Sequence, residues 1–80
     1  MNLEVITPEK TLYQGEIHSI HVPGSKGSFS VLKNHAPIIS TLEKGELRIL
    51  TIDKKEETIE IEGGIIEVRK NKIIVLADMA

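Results

Sequence analysis

Short apolar segments separated by turn-forming residues run along the whole sequence. From Leu3 onward, Ile, Val and Leu recur in brief stretches, and Gly, Pro, Asn or Asp interrupts them every several residues. No stretch sustains the periodicity of an amphipathic helix. Short β-branched segments at this spacing are typical of a β-sandwich or a barrel, so the pattern predicts an all-β fold.

The first half of the chain predicts strands on either side of several turns. The Pro8–Lys10 segment turns the first strand back, and Gly15 changes the direction of the chain again. The Pro23–Gly27 segment has the strongest turn signal, because its glycines permit positive φ and its proline donates no hydrogen bond to a ladder. We expect a tight, exposed loop there. Between these turns, strict alternation predicts two opposite faces, one with His18, Ile20 and Val22 and the other with Ile17, Ser19 and His21.

The second half alternates more regularly. Leu47 and Ile49 on one strand, and Ile59 and Ile61 on the next, alternate with residues that are mostly polar, which predicts a hairpin with one solvent-facing side. The Gly63–Gly64 pair indicates either a β-bulge or a close backbone approach. The last strand, from Ile73 to Ala77, is apolar throughout, so we expect both of its faces to be covered.

Length, composition and charge narrow the possible functions. The 80 residues predict one small domain spanning residues 1–80. The absence of Cys excludes disulfides and cysteine-based metal or redox chemistry. A formal net charge of −2 and an aromatic content of 2% argue against nucleic-acid binding. No apolar stretch is long enough to cross a bilayer, so direct insertion into a membrane is not expected.

The sequence contains no recognisable catalytic, cofactor-binding or metal-binding arrangement. His18 and His21 are three residues apart, which sends side chains to opposite faces of a regular strand. The Gly24–Gly27 turn lacks the spacing and the following helix of a phosphate-binding loop. His35 lies in the loop before Pro37, where it is either a hydrogen-bonded loop residue or a contact with another protein.

Two other functions are compatible with a small β-fold. An OB-type nucleic-acid-binding module would need stacking aromatic residues in a basic groove, and binding in a salt-dependent gel shift would favour it. A small β-barrel enzyme would need polar side chains gathered in one pocket, and turnover by the isolated chain would favour it. A protein-binding module needs neither feature, and it is the function that the sequence favours.

Five segments of the chain occur together in a characteristic order and spacing: Gly24–Gly27, Asn34–Pro37, Gly45–Ile49, Gly63–Val68 and Val75–Asp78. In this order and with matching gaps, they resemble the N-terminal β-sandwich of the ε-subunit family of F-type ATP synthases. The resemblance covers essentially the whole chain, and the opening strand and the Tyr13–Gly15 segment also fit it.

The resemblance implies a two-sheet β-sandwich of about ten short strands. It also implies a non-catalytic rotor subunit without a cofactor, located in the central stalk at the cytoplasmic face of the cell membrane, which links the γ subunit to the c ring and couples ion flow to ATP synthesis. The implied c-ring contacts are Gly24, Ser25, Lys26, Gly27 and Ser28. The implied γ contacts are His35, Ala36, Pro37, Ile38, Ile39 and Leu42.

The sequence departs from the common family pattern at its end. Many members of the family continue beyond the position of Asp78 into a C-terminal helical hairpin that can inhibit ATP hydrolysis and, in some members, bind ATP. From the sequence we expect neither activity here, and the length of the native subunit is left open.

Overall fold

A computed structural model describes residues 1–79 of the chain and contains eight β-strands. The predicted domain boundary at Ala80 lies outside the described residues. Within those residues the all-β prediction is confirmed, and no helix is long and apolar enough to cross a membrane. The strands are β1 (Asn2–Ile6), β2 (Thr11–Val22), β3 (Phe29–Val31), β4 (Ile38–Leu42), β5 (Gly45–Thr51), β6 (Glu56–Ile61), β7 (Gly63–Arg69) and β8 (Lys72–Asp78).

The strands form two sheets that share the long strand β2. In the first sheet the order is β4, β7, β8, β1 and the first half of β2, with β1 and β8 parallel and the other pairs antiparallel. In the second sheet, the second half of β2 lies between β3 and β5, and β6 pairs with β5. This arrangement confirms the predicted two-sheet sandwich.

Strand β2 passes from one sheet to the other without ending. Its residues up to Glu16 pair with β1, and its residues from Ile17 onward pair with β5 and β3. The sequence predicts two strands here, separated at Gly15, whereas the structure has a single strand of 12 residues. A single strand in place of two is one reason that the count is eight instead of about ten.

A β-bulge corrects the predicted faces of β2. Ile17 lies opposite Thr51 and Ser19 lies opposite Leu50, so His18 is an extra residue between two regular pairs. The bulge turns Ile17 into the core, on the side of Ile20 and Val22, and leaves His18 exposed. The expectation that His18 shares a face with Ile20 is therefore wrong.

The core between the sheets is aliphatic. Among the described residues no polar or charged residue is buried, and no buried side-chain nitrogen or oxygen lacks a hydrogen-bond partner. Each strand of both sheets contributes to this core through its alternate positions, as a strand with one covered face requires. The buried side chains are Leu3, Val5, Ile17, Ile20, Val22, Val31, Leu42, Leu47, Ile49, Ile61, Ile66, Val68, Ile73, Val75 and Ala77.

Strand β8 differs from its prediction on one face. Ile73, Val75 and Ala77 point into the core and are buried, as expected. On the opposite face, Leu76 is 49% exposed and Ile74 is only partly buried. The expectation that both faces are covered is therefore wrong for this domain on its own, because the second sheet covers only the inner side.

The Gly63–Gly64 pair marks a close backbone approach. Strands β7 and β8 pair from Gly63 to Arg69 without a register shift, which excludes a bulge in this ladder. A Cβ atom on Gly64 would collide with the backbone carbonyl oxygen of Leu76 on β8. The space beside β8 therefore leaves no room for a side chain at Gly64.

Candidate functional site

The turn predicted at Pro23–Gly27 lies between β2 and β3, and together with Ser28 it is called the glycine loop. The Gly27 amide donates a hydrogen bond of 3.0 Å to the Gly24 carbonyl and closes a tight turn. Gly27 has a φ of 127°, which glycine adopts readily, and the residues from Ser25 to Ser28 are exposed. The prediction of a tight loop is confirmed, and its predicted exposure is confirmed from Ser25 onward.

Gly24 has a different place from the other four predicted c-ring contacts. It is buried, and a Cβ atom at this position would lie 2.5 Å from the Gly27 carbonyl oxygen and 2.8 Å from the Phe29 ring. Its role is therefore to let the turn close over Phe29. The exposed atoms of the loop come from Ser25, Lys26, Gly27 and Ser28.

The loop before β4 has a defined local structure. Asn34 has a φ of 68°, a conformation that Asn tolerates better than most residues. The His35 amide donates to the Leu32 carbonyl at 3.1 Å, and the His35 ring nitrogen Nδ1 donates to the Ala36 carbonyl at 2.7 Å. His35 is thus a hydrogen-bonded loop residue, while Ala36 and Pro37 present exposed side chains beside it.

Strand β4 divides the predicted γ-contact residues between the surface and the core. Ile39 is 71% exposed, whereas Leu42 is only 5% exposed and belongs to the core. Ile38 points inward and is partly buried. Leu42 was expected among the surface residues that contact γ, and its burial corrects that expectation, because alternation along the strand turns it inward.

Backbone hydrogen bonds join the glycine loop to β4. The Ser25 amide donates to the Thr41 carbonyl at 3.0 Å, and the Glu43 amide donates to the Pro23 carbonyl at 2.9 Å. A cleft of about 550 Å³ lies beside this junction. Its walls include residues of both predicted contact segments, and the full lining is Lys26, Gly27, Phe29, Ile38, Ile39, Ser40 and Thr41.

An exposed apolar surface was missed by the sequence analysis. Ile65 is 43% exposed and Leu76 is 49% exposed, and the two lie opposite each other on β7 and β8. Ile6 on β1 lies opposite Leu76 on the other side. The uninterrupted apolar segment of β8 could have predicted this surface. It was interpreted only as a strand that its own fold covers on both faces.

The remaining polar groups are distributed over the surface. His21 Nδ1 lies 2.8 Å from the Ser30 hydroxyl on the outer face of the second sheet. Burial raises the pKa of Tyr13, and the carboxylates of Glu57 and Asp53 act in the same direction. Within residues 1–79, no three His, Asp or Glu side chains converge as a metal site would require.

The chain matches a described protein family over its full length. The family model is described as the ATP synthase delta/epsilon chain, beta-sandwich domain, and it matches residues 1–80. An ATP synthase epsilon chain of Leptospira borgpetersenii serovar Hardjo-bovis is 49% identical over 78 residues, covering 98% of this chain and 61% of the relative. An ATP synthase epsilon chain of Chlorobaculum tepidum is 43% identical over 76 residues, covering 95% of this chain and 86% of the relative.

Two solved structures share the fold. A chain in the Euglena gracilis mitochondrial ATP synthase structure of OSCP, F1 and c ring superposes with a TM-score of 0.88 at 19% identity, covering 94% of this chain and 48% of that one. A chain in the structure of the Tetrahymena thermophila mitochondrial ATP synthase central stalk and c ring superposes with a TM-score of 0.79 at 17% identity. The match covers 96% of this chain and 62% of that one. At these identities the two structures establish the fold alone.

Proposed function

The chain belongs to the family of ATP synthase delta/epsilon β-sandwich domains, and from that membership we infer that it is a non-catalytic subunit of the central stalk of an F-type ATP synthase. It fastens the γ subunit to the c ring, so that rotation driven by ion flow through the membrane reaches the catalytic sites. It acts at the cytoplasmic face of the cell membrane as a peripheral part of the complex.

The observation that carries this proposal is the hydrogen-bonded junction between two exposed segments. A coupling subunit has to hold two partners at a fixed distance, because a flexible connection would absorb torque. In this domain the glycine loop and β4 are joined by backbone hydrogen bonds, at Ser25 to Thr41 and at Pro23 to Glu43. The proposed c-ring contact at Ser25–Ser28 and the proposed γ contact near Ile39 therefore move together.

The chemistry of the surface agrees with a role in binding. Surface ion pairs include Arg69 with Glu67 at 3.0 Å and Arg48 with Glu46 at 3.4 Å, and exposed pairs of this kind contribute about 0–1 kcal/mol each. Glu60 on β6 and Glu62 just after this strand are exposed to solvent. Carboxylates in such surroundings serve solubility and partner choice better than acid–base catalysis.

Co-purification tests the proposed function. A tagged copy of the chain, expressed in the organism that carries it, is expected to bring down the γ and c subunits from solubilised membranes. Recovery of γ and c in the same complex supports the proposal. Recovery of neither subunit, with the tagged chain folded and present, contradicts it.

Cross-linking tests the proposed c-ring contact. The variant Ser28→Cys places a thiol at the exposed end of the glycine loop, and we expect it to form a disulfide with a cysteine introduced into the polar loop of the c subunit. Thr58→Cys is the control, because Thr58 is also exposed but lies on β6 of the second sheet. Equal cross-linking of the two variants, or labelling of Ser28→Cys without any cross-link, would contradict the contact.

A further inference from the structure

The base of the glycine loop is held between the β4–β5 turn and strand β5. The Glu43 amide, in the turn, donates to the Pro23 carbonyl at 2.9 Å. Towards β5, the ladder with β2 ends at the pair of His21 with Arg48, and a proline has no N–H with which to extend it. Side-chain packing therefore fixes the distance between Pro23 and β5.

Gly45, the first residue of β5, lies against the Pro23 ring. A Cβ atom on Gly45 would lie 3.0 Å from Pro23 Cβ and 3.2 Å from Pro23 Cγ, both closer than ordinary contacts between carbon atoms. The glycines with a positive φ are Gly15, Gly27 and Gly64, and Gly45 is not one of them. Space, and not backbone conformation, therefore makes glycine the residue that fits at this position.

Neither side of this contact can be relieved by rotating a side chain. The pyrrolidine ring of Pro23 is closed on its own backbone nitrogen, so the ring moves only with the backbone. Gly45 lies opposite Ile61 on β6, and Ile61 is 2% exposed and belongs to the core. A side chain added at Gly45 would therefore push Pro23, and the glycine loop with it, away from β5.

A displacement at Pro23 would reach the exposed end of the loop. The hydrogen bond from the Gly27 amide to the Gly24 carbonyl closes the loop, and Gly24 is packed against the Phe29 ring, so these residues move as one unit. Lys26 and Gly27 line the cleft of about 550 Å³ whose other wall is β4. The cleft leaves the end of the loop free to shift relative to β4.

We propose that Gly45 is a positioning residue that acts through Pro23 to set the position of the glycine loop relative to β4. This inference rests on the proposed function and deepens it, because the loop is the proposed c-ring contact and β4 carries the proposed γ contact. Hydrogen bonds join the loop to β4, and the contact with β5 determines where the loop stands in that junction. Gly45 contributes the space that it leaves for the Pro23 ring.

Amide hydrogen exchange of the whole chain tests the displacement. Gly45→Ala and Gly45→Val add side chains of increasing size, and we expect exchange at the Ser25 and Glu43 amides to be about 3-fold faster in the first and at least about 10-fold faster in the second. Gly63→Ala is the control, because a Cβ atom there would make only ordinary contacts. If Gly45→Val fails to fold, the increase in Gly45→Ala decides. Unchanged exchange at both amides would overturn the inference.

Cross-linking measures the consequence for the c-ring contact. In a chain that carries Ser28→Cys, we expect Gly45→Ala to slow disulfide formation with a cysteine in the polar loop of the c subunit by about 5-fold, because a disulfide needs a closely defined separation of its two residues. The affinity for purified γ, measured by calorimetry, should not change. A merely structural role of Gly45 would weaken both contacts together, and that result would overturn the inference.

Removing the Pro23 ring should cancel the effect. Pro23→Gly leaves no side-chain atom for a methyl group at Gly45 to meet, so Gly45→Ala should not accelerate exchange at the Ser25 amide any further in this background. If the full effect of Gly45→Ala persists in Pro23→Gly, the methyl group acts by a route other than Pro23, and the inference is overturned.

The outcomes of cross-linking also separate this inference from the proposed function. If Ser28→Cys forms no cross-link in the otherwise unmodified chain, the proposed c-ring contact fails, and the positioning role fails with it. If Ser28→Cys forms the cross-link, and Gly45→Ala leaves its rate unchanged, the c-ring contact stands and the positioning role of Gly45 alone is overturned.

Discussion

Replacing Gly64 with alanine is expected to lower the free energy of unfolding by about 3 kcal/mol. The new methyl group would collide with the Leu76 carbonyl oxygen, an atom of the neighbouring backbone. Gly64 also has a φ of 156°, where a side chain is disfavoured. Urea denaturation followed by circular dichroism measures the change.

The collision at Gly64 cannot be relieved by moving a flexible side chain. Leu76 lies on β8, which is hydrogen-bonded to β7 on one side and to β1 on the other. Any shift of the Leu76 carbonyl would therefore disturb two ladders together. A domain of this size has a total stability of roughly 4–12 kcal/mol, so the variant would lose a large part of it.

The adjacent glycine provides the control. A Cβ atom on Gly63 would lie 3.4 Å from the Leu42 carbonyl oxygen and 3.5 Å from Asp78 Oδ2, which are ordinary contacts. We expect Gly63→Ala to change the stability by no more than about 1 kcal/mol. Equal destabilisation by the two substitutions would show that the approach of β8 to Gly64 does not explain the requirement for glycine there.

The sequence predicted the elements whose faces differ in polarity. Strands β5 and β6 were recognised because Leu47, Ile49 and Ile61 alternate with residues that face solvent, and one-sided burial produces that alternation directly. The glycine loop was predicted from its turn chemistry, which depends on local backbone preferences. Local signals of this kind are independent of distant parts of the chain.

The features that the sequence did not predict depend on distant neighbours. The bulge at His18 adds one residue on β2 opposite Thr51 of β5, and no local pattern indicates how two distant strands will pair. Leu42 was placed on the surface because an exposed loop leads into the apolar residues Ile38, Ile39 and Leu42, whereas the pairing of β4 with β7 decides the direction of its side chain. The outer face of β8 was misjudged because composition does not distinguish a strand covered by its own fold from one covered by a partner.

The candidate site was predicted as two separate segments, and the structure joins them. Nothing in the sequence relates the Ser25 amide to the Thr41 carbonyl, since the 15 intervening residues include all of β3 and the turn at Asn34. The hydrogen bond between these two groups forms because β3 and β4 lie at neighbouring edges of the two sheets, where both line one cleft. The proposal of a rigid coupling unit therefore comes from topology.

Ile39→Glu is expected to weaken binding to γ by about 30-fold, equivalent to about 2 kcal/mol. The Ile39 side chain is 71% exposed on the edge strand of the first sheet, so the isolated domain should tolerate a charge there. In the complex, an apolar surface of γ would cover the carboxylate and leave it without a partner. The cost of that desolvation appears only on binding.

Two measurements on the same samples decide the result for Ile39. Urea denaturation should give Ile39→Glu a stability within about 0.5 kcal/mol of the unmodified chain, as for most surface substitutions. Calorimetric titration with γ should then show the loss of affinity for Ile39→Glu and none for Ile52→Glu, whose side chain is 63% exposed outside the first sheet. A folded Ile39→Glu variant that binds γ as tightly as the control would remove β4 from the γ interface, because the charge would then remain in water in the complex.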